Sequence, residues 1–550
     1  MKARPLSLAL TYLVLIAGAV MFSFPFLWLV SSSIKVDREL YTPTIRLLPQ
    51  QPLPRPKSPY FEDRRLTPLS GSAERLEAVL PALQRLVLER IPQRLDVPGQ
   101  TKEQAARAVA EEAYASLESR APADVFRGPV EGLLAFAERD LTAERLEELA
   151  RRIRRELLIG PVRMRSNELQ DVEVLRELPP TQRWKVTAGG DAVTLADGED
   201  GGVKVARLAY DLTRSDRFAL TLETALPFDG AELQRVQVRL RPDDTWHGLE
   251  AVLEVNGRRY TGVRRSVLGN EQWTTITWQF PSPDDYSTKL RTWVVLREAG
   301  GSDVSGARAR LTLTVQRASA LEAGYAKVAM NYQRVLDQIP LGRYIRVSLF
   351  LVLANIVLTL LASSLVAYAF ARITWPGRDF CFVLMLATMM IPGQVTMIPH
   401  FLIWRSVGAY DTLTPLWLGA AFGNAFFIFL MRQFMMGIPR DLEDAARIDG
   451  CGFLRIYWHV ILPLVKPSLA AIAIFTFIGA WNDFLGPLIY IADQRLYPLA
   501  FGLYAFSVQV QNNPTLTMAA SVIMTAPVIA VFFLAQKYFI QGITLTGMKG

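Results

Sequence analysis

Long apolar runs alternate along this chain with segments of two other rhythms. Runs of about 20 or more mostly apolar positions, enough at about 1.5 Å per residue to cross about 30 Å of hydrocarbon, occupy residues 7–32, 343–371, 380–399, 413–436, 464–491 and 515–540. They predict six membrane-spanning helices. Lys2 and Arg4 precede the first run as they would in a signal peptide, but the run is too long and no small-residue cleavage site precedes SSSIK. A retained anchor is predicted. Between the first and second runs the pattern becomes polar. Residues 50–70 are Pro-rich and charged, as in an extended linker. Residues 72–158 carry Ala, Leu, Glu and Arg at helical spacing, and Thr101 with Gln104 forms a capping-box signature. From about 160 to 317 apolar positions alternate in short segments: RWKVT, VKVARLAYDL, RFALTLE, QRVQVRL, LEAVLEV, WTTITWQF, LRTWVVL and ARLTLTV. Asn256-Gly257 marks a hairpin turn. Together these predict a soluble helical segment followed by an antiparallel β-sandwich of jelly-roll type.

Composition agrees with this mixture. Of 550 residues, 51% are hydrophobic, yet 20% are charged, which fits a membrane protein carrying a large soluble portion. The net charge of +8 is dispersed, with no basic stripe interleaved with aromatics, so no nucleic-acid partner is expected. Lys2, Arg4, Arg372, Arg378, Arg432, Arg440, Arg447, Arg455, Lys466, Lys537 and Lys549 fall on one side of the predicted spans, against Arg405 and Arg495 on the other. The basic side is cytoplasmic by the positive-inside rule, which places both termini inside and the segment between the first two spans outside. Cys381 and Cys451 supply no disulfide framework for the external portion. His247, His400 and His459 are scattered, and no metal site is predicted.

Residues 439–463 are a polar interruption between two membrane-length runs. Pro439 and Asp441 mark a helix start, and Glu443 and Asp444 lie at the positive end of its dipole. Gly450 is placed to stop that helix, and Phe453, Ile456, Tyr457 and Val460 then recur as one apolar stripe. Pro463 is expected to block continuation into the next span. The segment reads as a docking element for a soluble partner.

These residues resemble the EAA loop of ABC-importer permeases of the maltose-type carbohydrate subfamily. The pattern E-A-A, three residues, Gly, nine residues, I-x-L-P is matched by Asp444, Ala445, Ala446, Gly450, Val460, Leu462 and Pro463, with Asp for Glu and Val for Ile. The resemblance extends to FPFLWLVSSSIKVDRELYTP near the N-terminus, NYQRVL from Asn331, AYAFAR at 367–372, IPGQ at 391–394 and WNDF at 481–484, and covers roughly half the chain. It implies a mainly α membrane protein, a six-helix permease half whose coupling helix (Glu443, Asp444, Ala445, Ala446, Gly450, Phe453, Ile456, Tyr457, Leu462, Pro463) sits in a cleft of a cytoplasmic ATPase. The implied partners are a second permease subunit, two ATPase subunits, an extracytoplasmic solute-binding protein and membrane lipid of a bacterial inner or plasma membrane. ATP and Mg are used by the ATPase partners and no cofactor by this chain. The implied division is 1–49 first span and loop start, 50–160 linker and helical segment, 161–320 β-sandwich, and 331–550 permease core. An ordinary permease of this family lacks the insertion.

Polar residues inside the predicted spans need a reason, because an Asp at a helix centre costs about 2.5–3.5 kcal/mol on insertion scales. Asn424, Asn482 and Asp483 are candidates for a hydrophilic sugar pathway; equally, they tie helices together, or Asp483 sits at the outer interface. Gly419 and Gly423 form a small-xxx-small pair suited to close helix approach. In the insertion, Trp273 and Trp278 fall on opposite strand faces and are candidates for stacking on a glycan, with Trp184, Trp246 and Trp293 beside them; core packing and a docking or spacer role for the solute-binding protein are the alternatives. Asp243-Asp244 and Asp284-Asp285 read as solvated loop pairs. No G-x-x-x-x-G-K-[ST] loop, G-x-S-x-G elbow or H-E-x-x-H helix occurs, so no enzyme is predicted. Two other readings stay open: a membrane-anchored surface glycan-binding or sensing protein, and an ABC permease for a non-sugar solute.

Overall fold

The computed structural model describes residues 5–41, 46–62, 73–168, 170–173, 179–281, 293–510 and 513–544. Lys2, Arg4, Asp284, Asp285 and Lys549 lie outside the described residues. The chain divides into two compact units. One comprises Met1–Ser33 and Tyr332–Gly550, with Pro283–Arg291; the other comprises Ile34–Ser282 and Thr292–Asn331.

In the first unit, four helices among the described residues are long and apolar enough to cross a membrane: Thr11–Ser33, Leu341–Arg372, Thr414–Met436 and Pro514–Leu534. Two further stretches pass only as bent pairs. Arg378–Thr388 and Gly393–Ser406 meet at 99°, and Phe453–Leu464 meets Lys466–Asn482 at 79°. The first bend has a chemical cause. Pro392 at the N-cap of the second helix has no N–H to continue the first, and its ring restricts the residue before it. The run 413–436 is also irregular inside. It passes from Thr414–Trp417 into a 3₁₀ turn, Leu418–Phe422, and resumes as Ala425–Met436 after Gly423 at φ +76°. Gly423 therefore serves a backbone reversal that a side chain would strain, while a methyl group added at Gly419 would meet nothing within 4 Å. Of the expected pair, only Gly423 lies at a close approach, where an added Cβ would stand 3.7 Å from Ala362 in Leu341–Arg372.

The second unit has two cores. Helices Ala73–Arg90, Lys102–Glu118, Ala123–Arg127, Val130–Asp140 and Ala143–Ile153 bury Leu83, Val87, Val109, Tyr114, Leu133 and Leu146 among themselves. The Thr101–Gln104 capping box forms in both directions, so two N–H groups at the start of Lys102–Glu118 are satisfied reciprocally. The second core is enclosed by one continuous hydrogen-bonded sheet of 14 strands among the described residues, rather than by two separate layers. One portion carries Leu157–Ser166, Val203–Asp211, Leu233–Arg241 and Thr274–Gln279; the other carries Arg217–Ala225, Gly248–Val255, Arg258–Gly262 and Arg308–Gln316. A short parallel pairing, Trp278 with Val294 and Gln279 with Val295, joins them. The Asn256-Gly257 turn connects Gly248–Val255 to Arg258–Gly262 with both residues at positive φ, +51° and +72°, the type I′ geometry that matches strand twist. Strands Leu157–Ser166 and Val193–Asp200 add to the segments expected from alternation.

Two sequence expectations fail in this unit. Trp278 is 2% exposed and Trp184 equally sealed in the sheet core, because the sheet folds over and buries both groups of inward-facing positions, and Trp246 is sealed in a separate cluster with Val36, Ala323 and Met330. No sugar ring reaches them. The pair Asp243-Asp244 is also no solvated loop. Asp243 is 0% exposed; its carboxylate accepts from Tyr210 (2.5 Å) and Thr245 (2.7 Å), and its carbonyl accepts from Tyr60 (2.8 Å). Asp244 accepts from the Trp246 indole (3.1 Å) and pairs with Arg38. Positive φ at Asp244 (+62°) and Trp246 (+61°) turns these side chains inward. Here the two chain stems of the unit are held together: Ala318 N–H donates to His247 Nδ1 (3.2 Å), His247 Nε2 meets the Arg55 carbonyl (2.9 Å), and buried Lys327 pairs with Glu39.

Candidate functional site

The loop at 439–463 folds as two helical pieces around Gly450. Asp441–Ile448 carries Asp441, Glu443 and Asp444 in its first turn, where the helix dipole favours negative charge. Asp441 does not cap it. Arg440 is the N-cap and no side chain caps the start, because the helical turn already begins one residue earlier, with Glu443 and Asp444 N–H groups donating to the Arg440 carbonyl at 2.9 and 3.0 Å. The end is a full Schellman closure. Gly450 takes φ +79°, its N–H donates to the Arg447 carbonyl (2.9 Å), and Cys451 N–H donates to the Ala446 carbonyl (2.9 Å).

After Gly450 the expected stripe is only partly realised. Ile456 and Tyr457 are buried, Val460 is half-buried, and Phe453 stays exposed beside the Arg447 guanidinium. A π turn over Tyr457–Ile461 shifts the helical phase, which breaks the simple i, i+3, i+4 pattern. The helix also runs through Pro463 in Leu462–Leu464, since a wide turn ahead of a proline tolerates its missing N–H; the bend falls at Val465 instead.

Glu443 is the inward anchor. Its carboxylate Oε1 lies 3.1 Å from Arg372 Nε as an ion pair without hydrogen-bond geometry, with side chains only 4% and 3% exposed, while Arg372 Nη2 donates to the carbonyls of Met435 and Ile438, the latter at 2.7 Å. Tyr457 packs on Tyr368, ring centroids 5.4 Å apart, and shares a 2.7 Å hydroxyl contact with buried Ser364. Arg372, Tyr368 and Ser364 all belong to Leu341–Arg372. The opposite face of the loop is open. Asp444, matched to the motif acid, is 60% exposed and meets only Arg447 at 3.1 Å among its described ion pairs. Ala445 is exposed beside it, Ala446 half-buried, Leu442, Ile448 and Leu454 are exposed, Leu462 is half-buried and Pro463 is exposed. The sequence offered Arg372 as a marker of the basic side and as the end of the AYAFAR run; its role as partner of Glu443 depends on two segments 71 positions apart in the chain.

A cavity of about 530 Å³ lies elsewhere in the same unit, lined by Asn355, Thr359, Asn424, Thr476 and Asp483, with Gly423 and Pro487 at its wall. Asn424 and Asp483 are thereby brought together, and Asn482 is not: its amide donates to the Ile478 carbonyl (2.8 Å) outside the lining. Both lining acceptors sit where helices restart. Asn424 Oδ1 accepts from Phe426 and Phe427 N–H (3.0 and 3.3 Å), and Asp483 Oδ1 from Gly486 N–H (3.0 Å). Irregular backbone at membrane depth is tolerated where it is covered by protein or faces a polar cavity, and these caps satisfy its donors. Asn355 amide donates to the carbonyls of Leu351 and Leu416, while Thr476 Oγ1 has no hydrogen-bond partner among the described residues. Asn355, Thr359 and Ser363 recur every fourth position in an apolar helix; that polar stripe was the overlooked signal.

In the inserted unit Trp273 is half-buried, its indole donating to Asp200 (2.8 Å) with Arg239 over the ring at 5.1 Å, whereas Trp278 is core. Trp293 is likewise half-buried.

Residues 359–545 match the family model of the binding-protein-dependent transport system inner membrane component. The chain is 38% identical over 203 residues to the arabinooligosaccharide transport system permease protein AraQ of Halalkalibacterium halodurans, covering 37% of this chain and 72% of that one. It is 33% identical over 210 residues to the diacetylchitobiose uptake system permease protein NgcG of Streptomyces coelicolor, covering 38% and 70%. A crystal structure of a bacterial ABC transporter involved in import of the acidic polysaccharide alginate aligns at 30% identity and a TM-score of 0.35 over 38% of this chain and 79% of that one. With so large a share of these relatives matched, the chain belongs to the family of binding-protein-dependent transport system inner membrane components.

Proposed function

We propose that this protein is a transmembrane permease subunit of an ABC importer for carbohydrate, in which ATP hydrolysis by partner subunits drives solute through the membrane unit. Relatives named for arabinooligosaccharide and diacetylchitobiose uptake support the solute class. The observation that carries the mechanism is the two-sided loop at 439–463, anchored inward by Glu443 on Arg372 and open outward at Asp444, Ala445, Ile448 and Leu454.

In this reading the outer face docks in a cleft of a cytoplasmic ATPase subunit. Closure of the ATPase pair, which holds the ATP and Mg, displaces Asp441–Ile448. The buried Arg372–Glu443 pair passes that displacement to Leu341–Arg372, a helix that also carries Thr359 and Asn355 at the cavity. At about 1.5 Å per residue these lie about 20 and 26 Å from Arg372, so one rigid rod links the docking face to the polar cavity. Rocking of that rod opens the cavity alternately to the two sides. Sugar hydroxyls stripped of water need paired donors and acceptors, which Asn355, Thr359, Asn424, Thr476 and Asp483 supply. The working assembly has a second permease, two ATPases and an external solute-binding protein. Six spans, both termini in the cytoplasm and residues 50–330 outside follow from the apolar runs and the Lys and Arg distribution.

Gly450 gives the test. A methyl group there meets nothing within 4 Å, so Gly450→Ala acts through φ +79° alone, at about 1–2 kcal/mol of backbone strain, and unlatches the helix end. Uptake and substrate-stimulated ATPase activity of the assembled importer are expected to fall to background while the protein stays in the membrane. Unchanged uptake would remove the coupling role.

A further inference from the structure

In the inserted unit a cavity of about 280 Å³ is walled by the end of helix Ala143–Ile153, the strand that follows it and the end of strand Leu233–Arg241. Five arginines line it, Arg151, Arg152, Arg154, Arg155 and Arg241, against three glutamates, Glu148, Glu156 and Glu271. Arginine in the last turn of a helix serves the helix dipole, which accounts for Arg151 and Arg152. It does not account for Arg154, Arg155 and Arg241, which come from strands. Arg155 is engaged through Nη1, which pairs with Glu271 and donates to the Arg152 carbonyl (2.9 Å); its Nε lies 3.5 Å from Glu62, and neither Nε nor Nη2 has a hydrogen-bond partner among the described residues. Of the others, Arg241 Nη1 donates to Asp200 (3.3 Å) and Arg151 Nε to the Glu147 carbonyl (3.4 Å), which leaves Arg154 the least served. Buried Glu156 is shared by Arg154 at 3.6 Å and by Arg207 and Arg241 at 4.0 Å, too far for hydrogen bonds, and Arg152 lies 3.6 Å from Glu112. The Nε atoms of Arg154 and Arg207 are buried without a hydrogen-bond partner among the described residues. Burial first of all, opposed by Glu156 and then reinforced by repulsion from Arg207 and Arg94, holds Arg154 below the ordinary arginine value. A guanidinium does not give up its proton in a protein, so this marks a positive charge short of counter-charge.

We propose that this cavity is a binding site for a small oxyanion, a carboxylate such as that of an acidic monosaccharide or a free phosphate, held by Arg154 and Arg241. Planar guanidinium forks match carboxylate and phosphate oxygens with paired charge-assisted hydrogen bonds. The volume falls just below the about 300–1,000 Å³ of ordinary ligand sites, which suits one small anion rather than a polymer chain. The proposal stands on the inserted unit alone and does not depend on the transport reading.

The test is calorimetric titration of the full chain in detergent at constant ionic strength, with galacturonate, phosphate and neutral galactose. Saturable binding of galacturonate or phosphate and none of galactose is expected, the tighter of the two anions identifying the source. Arg154→Gln with Arg241→Gln should weaken that binding at least about tenfold, the loss of one good charge-assisted contact or more. Glu148→Gln, at an exposed position that removes a competing carboxylate without disturbing the fold, should tighten it severalfold. Equal binding of galactose, no saturable anion binding, or anion affinity indifferent to both the arginine and the Glu148 variants would overturn the site.

Discussion

In the inserted unit Trp184, Trp246 and Trp278 are sealed inside and the charged side chains pair across its surface, as in Arg310 with Glu223 and Asp303. The permease unit also encloses apolar clusters, around Met431 and Phe506, but differs in what it exposes. Met390 and Leu534 stand 85% and 78% exposed, while Ser363, Ser364 and the Arg372–Glu443 pair are enclosed. One chain is built for two solvents. Water drives apolar surface inward, whereas lipid tails give helices no such drive and leave small and polar contacts to hold them together. The contrast is what a multi-pass membrane protein with a water-soluble insertion requires.

Single substitutions can break that contrast. Trp278→Ala should cost the inserted unit about 3–5 kcal/mol as a core cavity, read as a lowered thermal midpoint, whereas Trp273→Ala, at a half-buried ring, should cost far less. A midpoint unmoved by Trp278→Ala would mean that this unit does not rest on an enclosed apolar core. In the permease unit the equivalent anchor is polar: Glu443→Ala strands a buried guanidinium and should cost about 3–5 kcal/mol locally and abolish uptake, measured in vesicles with blotting for membrane content. Replacing both partners, Arg372→Met with Glu443→Leu, should recover folded stability but not uptake, separating packing from coupling.

A smaller effect is set by pH. His247 receives the Ala318 N–H on Nδ1, so its neutral Nε2–H tautomer donates to the Arg55 carbonyl, and burial first of all lowers its affinity for protons, against the opposing pull of Asp243. The unfolded chain, titrating near 6.5, then binds the proton more readily than the folded one. Stability from this group is complete above that value and falls as pH drops through it toward the lower folded value, by at most about 1.4 kcal/mol per pH unit for one proton. Thermal midpoints of the inserted unit between about pH 7.5 and 5 should fall, and His247→Gln should flatten the trend. Smallest is Thr101→Ala, which removes one cap from Lys102–Glu118 and should lower stability by about 1 kcal/mol by chemical denaturation.

Local chemistry made several features readable in advance. The Thr101–Gln104 box, the Asn256-Gly257 turn and the Gly450 helix stop each depend on a few adjacent residues, and all three form. The loop residues Glu443, Ile456 and Tyr457 were likewise visible, but which acid turns inward was not: Asp444 fits the motif, while Glu443 meets the arginine. In the cavity Asn424 and Asp483 were found as polar residues in apolar runs, and Asn355 and Thr359 were missed because they hide in a helix whose polar stripe matters only once other helices face it.

By itself, then, the sequence determined where the chain is apolar and where it is polar, the helix start at Thr101 and the helix stop at Gly450, and which segment carries the permease motif. These follow from apolar length, period and backbone geometry, which neighbours in sequence settle. Only the tertiary structure decided that Trp278 is core, that Asp243-Asp244 is a buried knot, and that Arg372 holds Glu443. Burial and ion pairing depend on which distant segments meet, and no local pattern encodes that meeting.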